Sequence, residues 1–211
     1  MKDWVAWHAA YDDPDSPLST RLRAVRGHLS GALDAAPPGP VRLVSLGAGQ
    51  GRDVLGVLPG HPRGPQVAAV LVEYDPQNAA LAREGAAQAG LPQVEVRRAD
   101  AAQVANYADA LPADVLLLCG IFGNVSDEDI ERTATAAPAL CAPGATVIWT
   151  RHRRAPDLTP RIRGWFRASG FDEVAFDVPD QTLAGVSVGV GRLAVPPPAT
   201  LPGVPLFTFR T

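Results

Sequence analysis

Residues 41–53 constrain this chain more than any other stretch. An apolar run of strand length, Val41 to Leu46, leads into Gly47-Ala48-Gly49-Gln50-Gly51-Arg52-Asp53, and a segment patterned like a helix follows. Glycine at every second loop position lets the backbone approach a ligand closely, because no Cβ obstructs it and positive φ is tolerated. A dinucleotide loop reads G-x-G-x-x-G and seats a pyrophosphate on the helix N-terminus. This one reads G-x-G-x-G, with Asp53 two residues on. A carboxylate in a first helical turn suits the helix dipole but repels a pyrophosphate. The loop therefore favours a ligand without phosphates, such as a nucleoside with a cationic or zwitterionic tail.

The flanking sequence organises around that unit. Trp4, Trp7, His8 and Tyr11 recur at helical spacing, and Asp12-Asp13-Pro14-Asp15 breaks the pattern. Ser16 then offers an N-cap with Pro17 behind it, and Leu18, Leu22, Val25, Leu29 and Leu33 form the stripe of a second helix. Strands are expected at 42–46, 67–73, 94–97, 115–119 and 146–150. Helices are expected at 53–57, 76–89, 127–140 and 159–169, with Pro143-Gly144 stopping the third. Most strands are rich in Val, Ile and Leu, as in a sheet covered on both faces; 94–97 alternates and belongs nearer an edge. Residues 171–178 and 186–194 lack a helix between them and suit an antiparallel pair. The expected fold is α/β: a doubly wound, seven-stranded, mostly parallel sheet with its last strand antiparallel and helices on both faces. Residues 1–40 are read as an N-terminal helical cap, 41–194 as the core and 195–211 as a Pro-rich tail or edge strand, all within one domain.

The glycine loop resembles motif I of the class I S-adenosylmethionine (SAM) dependent methyltransferases, here of small bacterial type. Val70-Leu71-Val72-Glu73-Tyr74-Asp75-Pro76 looks like that family's second strand, Arg98-Ala99-Asp100-Ala101 like its third-strand motif, and Asp114 to Gly120 like its fourth strand. The resemblance implies SAM as cofactor. Gly47, Ala48, Gly49 and Gly51 would lie against its methionine part, with Asp53 nearby. Glu73, 22 residues beyond Gly51, would meet the ribose hydroxyls. Tyr74 would cover the adenine edge unless it is simply packed. Asp100 would accept from the adenine amino group, or else cap a short helix, with the Ala101 backbone reading the ring. Gly120 and Phe122 would lie near the cofactor, because ligands of open α/β sheets sit beyond the carboxyl ends of the strands.

The implied reaction is methyl transfer to a small-molecule acceptor, on oxygen or nitrogen. His152 and His8 are the candidate general bases, with Tyr11, Asn124 and Arg151 as candidate acceptor contacts. Arg151-His152-Arg153-Arg154 would make a basic mouth that favours an anionic acceptor. Arg21 and Ser19, which open the second helix, would meet the SAM carboxylate or lie on the surface. The Asn/Asp-Pro-Pro-Tyr motif of nucleobase and protein-amine methylation is absent after the fourth strand, where Cys119-Gly120-Ile121-Phe122 stands instead.

The balance of the sequence restricts the alternatives. Net charge is −3, which leaves no electrostatic footprint for nucleic acid. No apolar run approaches a membrane span. Met1-Lys2-Asp3-Trp4 lacks the pattern of a secretory signal, and two cysteines give neither a disulfide framework nor zinc spacing. A cytoplasmic monomer or homodimer without a metal is expected. The rivals are an aminopropyl-type transferase on the same fold, a non-catalytic SAM- or partner-binding domain, and an NAD-binding domain. The first needs paired acids soon after strand four, where the nearest acid is Asp127. The last is disfavoured by glycine spacing and Asp53.

Overall fold

A computed structural model describes residues 9–179 and 185–210. Trp4, Trp7 and His8 lie outside the described residues. Tyr11 falls in a single 3-10 turn, Ala9–Asp12. Helix α1 (Pro17–Ala35) starts where the cap predicts: the Ser16 hydroxyl accepts from the Ser19 N–H at 3.1 Å, with Pro17 at the first helical position. Its buried stripe is Val25, Leu29, Ala32 and Leu33. Leu18 and Leu22 are only half-buried, and Ser19 and Arg21 are buried beside them. At the other end Arg63 donates to the carbonyls of Leu33, Ala36, Pro37 and Gly39, satisfying acceptors that a helix terminus leaves open.

Seven strands form one sheet: β1 (Val41–Leu46), β2 (Val67–Glu73), β3 (Val94–Arg98), β4 (Ala113–Leu118), β5 (Cys141–His152), β6 (Phe171–Asp177) and β7 (Val186–Leu193). Their order is β3-β2-β1-β4-β5-β7-β6. All neighbours pair in parallel except β7, which is antiparallel to both β5 and β6. The alternating strand β3 is an edge, as its pattern predicts. Helices α1 and α2 (Pro76–Gln88) cover one face, where Leu29, Leu33, Ala79 and Ala82 meet Leu43, Leu71, Val115 and Leu117. Helices α3 (Asp127–Ala136) and α4 (Thr159–Ala168) cover the other, where Ile130 and Ile162 meet Leu46, Leu116 and Val147. An aromatic cluster lies under α4: Trp149 stacks on Phe166 at 5.9 Å, and Phe122 packs 6.1 Å from Trp149. Among the described residues no helix is long and apolar enough to cross a membrane.

Three expectations need correction. The helix expected at 53–57 does not form; residues 52–57 are successive turns, then a 3-10 turn, Leu58–Gly60. The Arg52 carbonyl, which a continuing helix would bond to the residue 56 N–H, accepts from Arg26 instead, from Nε at 3.0 Å and Nη2 at 2.6 Å. A Cβ at Gly56 would collide with that guanidinium. Pro143-Gly144 does not stop a helix, because α3 has already tightened into a 3-10 turn (Ala137–Leu140). It lies within β5, where the register to β4 shifts and Gly144 has φ +74°. Residues 195–210 form no strand; they are a strap that packs back on the core, with Leu206 and Phe207 each 1% exposed.

Candidate active site

The strand order reverses between β1 and β4, and open α/β sheets hold their ligands at such a point, beyond the carboxyl ends of the strands. A cavity of ≈ 890 Å³ lies there. It is lined by Gly47–Gln50 after β1, Glu73–Pro76 after β2, Ala101 after β3 and Cys119–Ile121 after β4. A second hollow of ≈ 840 Å³, lined by residues such as Leu58, Pro65 and Leu91, lies at the opposite end, before β2 and β3.

Three glycines of the loop adopt left-handed backbone: φ is +63° at Gly47, +56° at Gly49 and +67° at Gly51. Gly47 and Gly49 face the cavity. Gly51 lies behind, where a Cβ would come within 2.9 Å of the Leu71 side chain. The Glu73 carboxylate ties the loop to β2, accepting from the Gly49 N–H at 2.7 Å and the Asp75 N–H at 2.8 Å. Burial raises its pKa against the pull of those hydrogen bonds. Asp75 caps α2 through the Gln77 and Asn78 N–H groups. Tyr74 lies at the mouth, 71% exposed.

Asp53 and Arg21 both line the cavity, near enough for their charges to interact. Asp53 is buried, accepts from the Val54 N–H at 2.8 Å, and is pushed above the ordinary carboxylate range by desolvation despite Arg21 and Arg26 nearby. Arg21 is also buried and donates to the Tyr11 hydroxyl. Tyr11 is held further by Ser19 Oγ, which donates to its carbonyl at 3.1 Å, and by the Arg52 guanidinium 5.4 Å from its ring centre. Arg52 also donates to Gln50 at 2.9 Å and pairs with Asp12 at 3.1 Å.

The sequence-predicted residues divide here. Gly47, Ala48, Gly49, Asp53, Glu73, Tyr74, Ala101, Gly120, Asn124 and Tyr11 are brought together around the cavity. Asp100 is not on its lining; its carboxylate accepts from the Ala102 N–H at 2.9 Å, the turn-capping arrangement. Phe122 is fully buried in the aromatic cluster, so lying after β4 does not bring it to the cavity. Arg151 and His152 lie behind the 120–124 loop, with Arg151 donating to the Phe122 carbonyl. Among the described residues Arg151 Nε and His152 Nδ1 are buried without a hydrogen-bond partner. Burial, then Arg151 and Arg154, holds His152 below the usual histidine pKa and keeps it neutral at pH 7. The lining residues given no role at the site from sequence include Leu22, Arg52, Asn78, Ile121, Phe209 and Arg210. The last two belong to the strap, and Pro-rich composition gave no signal that it docks. Arg21, offered as a surface residue or a carboxylate ligand, takes the buried place.

No family model and no curated protein matches the chain. Solved structures do. Magnesium protoporphyrin IX methyltransferase (ChlM) from Synechocystis PCC 6803, with bound SAM, matches with a TM-score of 0.68 at 12% identity, over 89% of this chain and 89% of that one. This chain has the class I methyltransferase fold. An O-methyltransferase family protein from Burkholderia thailandensis matches with a TM-score of 0.63 at 18% identity, over 82% of this chain and 56% of that one. The chain thus spans little more than half the length of that protein. The [4+2]-cyclase SpnF shares the methyltransferase fold with a TM-score of 0.58 at 17% identity, over 80% of this chain and 81% of that one. Fold alone therefore leaves the reaction open, and the residues of the site decide it.

Proposed function

We propose that this chain is a SAM-dependent methyltransferase acting on oxygen or nitrogen of a small-molecule acceptor. One observation carries the reading: the Glu73 carboxylate, at the carboxyl end of β2, is bonded to the glycine loop on the wall of a cavity large enough for a nucleoside. Two N–H groups use two of its roughly four lone-pair sites, which leaves capacity for a ribose diol. Asp53 and Arg21, of opposite charge and near one another on the lining, suit the ammonium and carboxylate of an amino-acid tail. Tyr74 and the Ala101 backbone flank the space left for a base. The donor set thus fits SAM, which when bound supplies a sulfonium methyl for in-line displacement by the acceptor.

The chain's own residues contribute placement and exclusion of water. Ile121, Leu22, Val25 and Phe209 give the cavity apolar wall, and Tyr11 covers part of it. Holding a nucleophile in line with the methyl is worth several powers of ten without a base. His152 stands off the lining, so this reading assigns it no proton transfer; His8 lies outside the described residues. Against an NAD-binding domain stands the Asp53 carboxylate beside the loop. Against an aminopropyl-type transferase stands the neutral run from Cys119 to Ser126.

Calorimetric titration with SAM, and with NAD in parallel, tests the cofactor half. Micromolar SAM affinity with no NAD heat is expected; NAD binding, or no binding of either, overturns the reading. Transfer of labelled methyl from SAM in a broad acceptor screen tests the reaction. SAM binding without any transfer would instead support a non-catalytic SAM-binding domain.

A further inference from the structure

The charged lining of the cavity, Arg21, Arg52, Asp53, Glu73 and Asp75, comes from α1, the glycine loop and the close of β2. The loop after β4 and the strap add Cys119, Gly120, Ile121, Asn124 and Phe209, with Arg210 the one formal charge among them. The strap that supplies Phe209 and Arg210 is fastened along its length, beginning with Arg132, whose Nε donates to the Pro205 carbonyl at 3.0 Å. The Leu206 N–H donates to the Ala102 carbonyl at 3.0 Å, and its carbonyl accepts from Thr133 Oγ1 at 3.0 Å. The Thr208 N–H donates to Asp129 Oδ2 at 2.9 Å, and the Arg210 N–H to the Asn124 carbonyl at 2.8 Å. Phe207 is buried in the core, and Phe209 packs edge-on to it with ring centres 5.2 Å apart. The Phe209 ring reaches to 3.9 Å from where a Gly47 Cβ would stand. The strap therefore touches the glycine loop and the loop after β4 together.

We propose that this strap is the acceptor-facing wall of the site, and that Arg210 selects acceptors with an anionic group, a carboxylate above all, on an apolar body. The proposal rests on the methyltransferase reading and deepens it. Ile121 and Phe209 receive the apolar body. Arg210, exposed at the rim, offers a planar fork that matches a carboxylate. Arg151 adds a second positive charge behind the loop, near enough to Arg210 for their charges to oppose. Two acids of the first turn of α3 are engaged elsewhere: Asp129 by Arg132 and the Thr208 N–H, and Asp127 by Arg161 at 3.9 Å and the Arg151 charge. The third, Glu128, does interact with the Arg210 charge, but it is fully exposed and hydrogen-bonded at the Ser126 cap, so solvent screens that interaction. Among the described residues Arg210 makes no ion pair.

The test uses paired probes: hydroxy- and aminobenzoic acids against the corresponding benzamides, with transfer of labelled methyl from SAM as the readout. Wild-type kcat/KM should favour the acids by about tenfold or more, the worth of one charge-assisted hydrogen bond. Arg210→Gln should remove most of that preference, read as the ratio of kcat/KM for acid to that for amide, and Arg210→Lys should retain part of it. Arg210 is exposed and anchored through its backbone, so both variants should melt with the wild type. A preference for amides, an acid preference that survives in Arg210→Gln, or SAM binding with transfer to neither probe class would overturn the proposal. Absence of SAM binding by the wild type is a separate outcome and overturns the underlying reading instead.

Discussion

Two walls of the cavity are built in different ways. The glycine-loop wall comes from neighbouring elements: β1, its loop and the close of β2, joined by the Glu73–Gly49 hydrogen bond. The wall that carries Arg210 is collected from the loop after β4 and a strap some 80 residues further on. Burial raises Asp53, Glu73 and Cys119 on the lining and lowers His152 behind the loop after β4, because it disfavours whichever form is charged. A contiguous motif announces itself in sequence; a wall made of remote segments does not.

The sharpest way to break this comparison is to ask whether the strap is structural. Phe207 is fully buried against the α3 face, so Phe207→Ala should lower stability by about 3–5 kcal/mol, read from a denaturant midpoint at unchanged slope. A detached tail would lose less than about 0.5 kcal/mol on the same change. Next in size is Glu73→Ala, which should weaken SAM binding by about 1–3 kcal/mol, since hydrogen bonds to a charged group are lost. Unchanged affinity in a folded variant would sink the ribose assignment.

How much was legible follows from the same physics. Strand β2 spans the seven residues its apolar run marks, because a strand covered on both faces must be apolar throughout. Asp75 and Ser16 cap α2 and α1 as their residue types predict. The helix after the glycine loop was misread because the competing donor, Arg26, lies on α1, remote in sequence. Asp100 stands off the lining for the opposite reason: its carboxylate is taken up by its own backbone two residues on. Phe209 and Arg210 carry no periodic signal; only the tertiary bonds to Asn124 and Asp129 bring them to the site.

The part of the lining that the glycine loop announces is not wholly local either, since α1 adds Arg21, Leu22 and Val25 to the same cavity. Ser16→Ala removes the cap of that first turn and should cost about 1 kcal/mol of stability, read from the denaturant midpoint. It should also weaken SAM binding, by letting the turn that carries Arg21 fray. A loss of stability with SAM affinity unaltered would separate α1 from the site.

The smallest effect expected, and the only stabilising one, is that of Asp53→Asn. The folded chain raises the Asp53 pKa, so over a range above the ordinary carboxyl value the folded state binds a proton that the unfolded state has released. Stability from this group therefore falls as pH rises from about 4, and the loss is complete once pH exceeds the raised folded pKa. An asparagine keeps an oxygen for the Val54 N–H but carries no charge to desolvate. The stability of the variant relative to wild type should accordingly climb with pH above about 4 and then level off. Taking the difference cancels Glu73, whose contribution has the same sign, and His152, which acts oppositely by costing stability as pH falls through about 6.5. SAM affinity should fall in the same variant, because the ammonium loses its partner. A flat difference curve would mean that Arg21 and Arg26 already neutralise the buried carboxylate, leaving it no strain for a ligand to relieve.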